Sequence, residues 1–193
     1  MTRVTPPTET DIAQRLDRVE SQLAIRDLAA RYALAVDSRD LDSLAELFVA
    51  DVDNGRAGKG RGALRTWFGE VLTGFYRSMH FVSGHVVDLV DSDYATGSVY
   101  CRAEHEDGDA WVVMAIRYLD TYRRDDGVWY FERRRLQPWY VADALEHPQD
   151  AAFSRWPGRE QSQPARLPKG FPTWEPFWEG AGSAVRVSRT AQP

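Results

Sequence analysis

The periodicity of the chain changes once, near residue 76, and that change constrains the fold more than any other feature. Up to Tyr76 the apolar residues recur every three or four positions. Ile25, Leu28, Ala29, Tyr32, Ala33 and Val36 fall on one helical face, and Leu41, Leu44, Ala45, Leu47 and Phe48 on a second. Leu64, Trp67, Phe68, Val71, Leu72 and Phe75 form a third, over about residues 62–76. The turn Ser38-Arg39-Asp40 separates the first two helices, and Asp40 is placed to cap the second. Beyond Tyr76 come four stretches rich in β-branched and aromatic residues: 80–90, 94–104, 110–122 and 128–136. Asp91-Ser92-Asp93, Asp107-Gly108-Asp109 and Asp125-Asp126-Gly127 divide them as turns. Helices followed by an antiparallel meander predict an α+β fold, with N-terminal helices packed on one face of a curved sheet.

The flanks read differently. Residues 1–10 are polar, include Pro6 and Pro7, and are expected to be a disordered N-terminus. Ile12, Leu16, Val19 and Leu23 then follow at helical spacing, capped by Thr10 or Asp11. They predict an arm that packs on the body or on a neighbouring subunit, and that continues into the next helix or breaks near Ser21. The glycine-rich loop Asp51–Gly62 has no GxxxxGK[ST] pattern and reads as a surface turn. The body is expected over residues 11–140. Residues 141–193 form a tail holding seven of the ten prolines together with Trp156, Phe171, Trp174, Phe177 and Trp178. Disordered tails are poor in aromatics, so this one is expected on the pocket mouth or on a neighbouring subunit.

A chain of 193 residues fits one domain with appendages. Its net charge of −5 argues against nucleic acid as a partner. The single cysteine, Cys101, allows neither an internal disulfide nor a multi-cysteine metal site. The N-terminus lacks the apolar core of a signal peptide, and no run approaches the roughly 20 apolar residues of a membrane span. A cytoplasmic protein without membrane contact is the expectation.

Two residues stand out chemically. Asp37 is an acid near the C-terminal end of an apolar helix, where the partial negative charge of the helix end opposes it. His80 opens the first strand stretch. A histidine can accept a proton near neutral pH, and a carboxylate bonded to one ring nitrogen fixes the tautomer and supports the imidazolium that forms. The alternative for Asp37 is service in the turn that follows it. Tyr32, five residues earlier, lies about 140° round the helix from Asp37. His85, at odd offset from His80, is expected to face the other way and to be structural. Simple alternation places Trp129, Phe131, Arg133 and Arg135 on one face of the last strand and Tyr130, Glu132 and Arg134 on the other. Cys101 reads as a small buried residue. No spacing of histidines and carboxylates supports a metal site.

Three stretches carry a resemblance: AIRDLAARYALAVDSRDLDSLAELFVADV, MHFVSGHVVDLVDSDYATGSVYC and DGVWYFERRRL. Together they resemble the SnoaL-like branch of the NTF2-like superfamily, an α+β cone, over about residues 12–140. Gly84 and Ser92 depart from its usual asparagine and glycine. The branch includes polyketide cyclases, dehydratases of the scytalone and bile-acid types, a dehydrochlorinase, ketosteroid isomerases and the non-catalytic small subunits of ring-hydroxylating dioxygenases. The resemblance implies a cofactor-independent lyase or cyclase acting on a hydrophobic small molecule such as a polyketide or steroid. His80 and Asp37 fall on its catalytic dyad and Tyr32 on a catalytic tyrosine. Arg134 and His105 fall on substrate-binding positions, with Arg133 and Arg135 as register alternatives to Arg134. Trp67 and Cys101 are further candidates for contact with substrate. The resemblance also implies a homotrimer or homodimer. The competing expectation is a non-catalytic ligand-binding or accessory subunit built on the same cone.

Overall fold

The computed structural model describes residues 9–146, Trp156 and residues 166–181. Helix α1 runs unbroken over Glu9–Ser38, so the arm and the first body helix are one element with no restart at Ser21. It begins before the expected caps Thr10 and Asp11, and two residues of the expected disordered segment belong to it. Residues 1–8 lie outside the described residues. Helix α2 spans Leu41–Glu46, and Asp40 caps it by accepting the Ser43 backbone N–H at 3.0 Å. A single 3-10 turn, Gly55–Ala57, lies in the glycine-rich loop, and helix α3 spans Gly60–Leu72.

Four strands follow as an antiparallel meander in the order β1-β2-β3-β4: Arg77–Leu89, Tyr94–Asp107, Ala110–Asp125 and Val128–Asp143. The last runs three residues past the expected end of the body. Inward side chains of neighbouring strands fall in rows. Successive rows hold His80, Ala103 and Met114; then Val82, Cys101, Ile116 and Pro138; then His85, Val99, Tyr118 and Leu136; then Val87, Gly97, Asp120 and Arg134; then Leu89, Ala95, Tyr122 and Phe131. The α1 face of Ile25, Leu28, Ala29, Tyr32 and Val36 closes over these rows as the core, with Phe48, Leu64 and Phe68 beside it.

Two bulges correct the alternation expected from sequence. In β1 the pairing slips between Val82 and His85, one extra residue against β2. His85 therefore turns to the same inner face as His80. In β4 a slip opposite Thr121 and Tyr122 leaves Glu132 unpaired. Arg134 therefore joins Trp129 and Phe131 inside, while Arg133 and Arg135 are exposed. An inserted residue reverses the facing of everything after it.

The apolar stripe of the arm does not face its own body, although Asp17 of the arm pairs with Arg124 at 2.8 Å. Ile12, Leu16, Val19 and Leu23 remain 52–60% exposed. Described parts of the tail do touch the body. The Trp156 indole donates to Asp107 at 2.7 Å. Leu167 is buried, and its backbone N–H reaches the Pro138 carbonyl at 3.3 Å. Phe171 lies against Trp139 and under the Arg117 guanidinium. Helix α4, Trp174–Ala181, follows. Among the described residues no helix is long and apolar enough to cross a membrane.

Candidate active site

The end of α1 is built to deliver Asp37 to β1. The Asp40 N–H bonds the Ala35 carbonyl at 2.9 Å and the Arg39 N–H bonds the Val36 carbonyl at 3.2 Å, the paired pattern that closes a helix through a left-handed residue. That residue is Arg39, at φ 61°, a conformation that disfavours any side chain but glycine's hydrogen. The Arg39 guanidinium offsets the strain. It donates to the Val36 carbonyl at 2.7 Å, the Ser78 hydroxyl at 2.9 Å and the Tyr76 carbonyl at 3.2 Å, tying the helix end to the start of β1.

Asp37, two residues before Arg39, meets three donors. Its Oδ1 stands 2.7 Å from His80 Nδ1 and accepts the Ser78 hydroxyl at 2.9 Å. Its Oδ2 accepts the His80 backbone N–H at 2.8 Å. Burial alone pushes the carboxyl up, but the hydrogen bonds and charge of His80 and the Ser78 hydroxyl outweigh it and hold Asp37 below its ordinary value. An ionised carboxylate only accepts hydrogen bonds, so His80 Nδ1 carries the shared proton, and in the neutral ring the lone pair lies on Nε2. The His80 side chain is 7% exposed.

His105 lies beside the dyad, its ring 5.9 Å from His80, 4.6 Å from Phe75 and 5.1 Å from Trp156. Burial, reinforced by the nearby His80, pushes it down to about 4, so it is neutral at physiological pH. Its Nδ1 is buried without a hydrogen-bond partner. Cys101 is one row further along and is buried, with burial pushing its thiol up to about 12. It is no nucleophile at neutral pH, but it lies within electrostatic range of both Arg134 and Asp37.

Arg134 is the second centre. Its Nε donates to Asp120 Oδ1 at 3.0 Å and its Nη2 to Oδ2 at 2.8 Å, a bidentate pair with side-chain exposures of 5% and 0%. The rings of Tyr118, Tyr32 and Phe131 surround the guanidinium at 4.2, 4.4 and 4.4 Å. The chain of contacts continues from Asp120 to the Tyr122 hydroxyl at 2.9 Å and on to His85 Nε2 at 3.0 Å. Burial lowers His85 to about 4. Tyr32 is raised to about 12 by burial, against the pull of Arg134, and keeps its phenolic proton. A cavity of about 350 Å³ opens here, lined by Tyr32, Tyr118 and Arg134 inside and by Trp67, Asn54 and Leu136 among its other walls.

The candidates thus divide into two groups. Asp37, His80 and His105 cluster at one end of the rows; Tyr32, Trp67 and Arg134 cluster round the cavity, and Cys101 lies within reach of both. Along β2 four residues, about 13 Å of strand, separate the His80 row from the Tyr118 row. His80 and Asp37 are not part of the cavity lining. Ser78, Arg39, Tyr118 and Asp120 escaped the sequence reading. Ser78 had a signal, two residues before His80 on the same strand face, and Asp120 had another, a lone acid in the inward series Ile116, Tyr118, Asp120, Tyr122. Among the described residues no group of three metal-ligating side chains comes together.

Comparison with known proteins agrees with this architecture. The SnoaL-like domain model matches residues 17–135. Gamma-hexachlorocyclohexane dehydrochlorinase of Sphingobium indicum is 29% identical over 126 residues, 62% of this chain and 81% of that protein. The crystal structure of LinA superposes with a TM-score of 0.62 at 28% identity, covering 69% of this chain and 96% of LinA. Hexachlorocyclohexane dehydrochlorinase LinA-type3 from Novosphingobium barchaimii gives 0.61 at 25% identity, covering 69% and 97%. The chain belongs to the SnoaL-like family, with the α+β cone of the NTF2-like superfamily.

Proposed function

We propose that this protein is a cofactor-independent lyase that eliminates a leaving group from a hydrophobic ring compound. The observation that carries the reading is the double engagement of Asp37 with His80, at Nδ1 and at the backbone N–H. It leaves Nε2 as a base of fixed orientation. His80 Nε2 takes a proton from carbon, the electron pair forms the double bond, and the group on the neighbouring carbon departs with its electrons. Asp37 stabilises the imidazolium formed. Arg134 and the Tyr32 hydroxyl line the neighbouring cavity, where they offer a polar, hydrogen-bonding surface to the part of the substrate that extends away from His80. Trp67 and Cys101 shape the apolar walls, and neutral His105 holds the far side of His80. The dehydrochlorinase activity of the relatives supports this class of reaction; chlorinated and hydroxylated rings, polyketides and steroids are the substrates to try.

Turnover of such a panel by the wild-type chain, abolished in His80→Ala with the fold retained by circular dichroism, tests the reading. Full activity in His80→Ala contradicts it. We also propose a homodimer or homotrimer, in which the outer sheet face bearing exposed Met79, Phe81 and Val86 is covered by another copy. A stable monomer in light scattering contradicts that assembly.

A further inference from the structure

Helix α1 has two apolar faces, and only one of them is used. Ile25 and Ala29 are fully buried against the body, with Ser21 and Leu28 beside them. At 100° per residue, Ile12, Leu16, Val19 and Leu23 lie about 120–180° round the helix from Ile25. The stripe therefore points away from the body, and its four large side chains are 52–60% exposed. Their spacing of four, three and four is that of alternating d and a positions of a heptad, with Leu16 and Leu23 at a and Ile12 and Val19 at d.

We propose that this stripe is a self-association seam, along which the α1 arms of neighbouring copies pack parallel and in register. Charge selects the orientation. Arg15 occupies the g position before Leu16, and Glu20 the e position after Val19. In a parallel bundle g of one helix faces e of the next heptad of its neighbour, so Arg15 meets Glu20 on each side. An antiparallel pair sets Arg15 against Arg15 and Glu20 against Glu20. Leucine at a with isoleucine or valine at d favours three or four helices over two. The arm segment alone, about 15 residues, would be a marginal helix in isolation. Here it is already formed, because the C-terminal half of α1 is buried in the body and Asp17 is paired with Arg124 at 2.8 Å. The seam is separate from the outer sheet face and from the cavity, so it adds a contact that the lyase reading does not require.

Cysteine cross-linking in the full chain tests it. Native Cys101 is buried, so mild oxidation reads the introduced thiol. Leu16→Cys and Leu23→Cys are each expected to link to the same residue of another copy, while Ala24→Cys, exposed but off the stripe, does not. Arg15→Glu is expected to lower the linked yield of Leu16→Cys at least several-fold, and Arg15→Glu combined with Glu20→Arg to restore it. Light scattering of the uncross-linked chain is expected to give three copies, and Leu16→Glu with Val19→Glu to abolish the Leu23→Cys link without loss of helical signal. Absence of a Leu16→Cys link, a Leu23→Cys link unmoved by the double glutamate variant, or links only between Leu16→Cys and Leu23→Cys in a mixed sample would overturn the parallel seam. Protection of the stripe in a monomer, meaning that another segment of the same chain covers it, overturns it equally.

Discussion

One Asp37 oxygen stands 2.7 Å from His80 Nδ1 while the other accepts the His80 backbone N–H at 2.8 Å. The carboxylate therefore fixes both the ring and the strand that carries it. An asparagine at this position keeps the size but cannot accept at both atoms. Asp37→Asn is expected to lower turnover roughly 10²–10⁴-fold, the span of a general-base contribution. Nitrogen NMR of the wild-type neutral ring should show the proton on Nδ1, and that preference should be lost in Asp37→Asn. A ring protonated on Nε2 in the wild type is incompatible with the proposed base.

Arg134 and Asp120 form a buried pair, and removing one partner strands the other. Arg134→Ala is expected to destabilise the fold by about 3–5 kcal/mol in urea unfolding, because Asp120 is left as an uncompensated buried charge. Replacing both together, Arg134→Met with Asp120→Leu, should recover most of that loss while weakening substrate binding in the cavity that Arg134 lines. A single Arg134→Ala variant as stable as wild type would show that the pair does not hold the inner rows together.

Gly97 gives Tyr122 its place. A Cβ at this position would stand 2.9 Å from Tyr122 Cε2 and 3.1 Å from the Val86 carbonyl. Tyr122 is fully buried and anchored to Asp120, so it has little room to yield. Gly97→Ala is expected to cost about 1–3 kcal/mol, as overpacking of a filled core does. The cost should shrink in a Tyr122→Leu background, and an equal cost in both backgrounds would show that the clash lies elsewhere.

Three buried or half-buried groups contribute to the pH dependence of stability. His105 and His85 are held near 4 by burial, whereas an unfolded histidine titrates near 6.5. Between those values the unfolded chain binds more protons, so stability falls as pH drops from about 6.5 to about 4. His105 alone accounts for about 1.4 kcal/mol per pH unit inside that window; the less buried His85 acts in the same direction. Asp37 is depressed, so its contribution is intact above the unfolded carboxyl value near 4 and is lost as pH falls through its lower folded value. Unfolding of His105→Phe across pH 4–6.5 should show a slope one proton shallower. An unchanged slope would assign the proton uptake to another group.

The turns were legible because Asp and Gly mark them, and β2, β3 and β4 begin at the expected residues Tyr94, Ala110 and Val128. Asp37 and His80 were legible through their motif positions. The facings of His85 and Arg134 were not, because each depends on a single inserted residue. Gly84 was a trace of the first bulge, since a glycine within a strand often marks one. The second, at Glu132, left no such mark. It sets Arg134 opposite Asp120, an ion pair that alternation does not encode. The arm illustrates the converse: its periodicity was plain, but the side of α1 facing the body is decided by Ile25 and Ala29, not by the stripe.

Product formation reads the roles of His80 and Asp37 most directly. Incubating the wild-type chain, Asp37→Asn and His80→Ala with a cyclic substrate carrying chloride or hydroxyl on the carbon next to a C–H, and measuring the alkene together with released halide or water, reads the elimination itself. Stoichiometric alkene and leaving group are expected from wild type, with both variants at or near background. Equal product from wild type and His80→Ala, or binding of the whole panel with no product at all, would contradict the lyase reading.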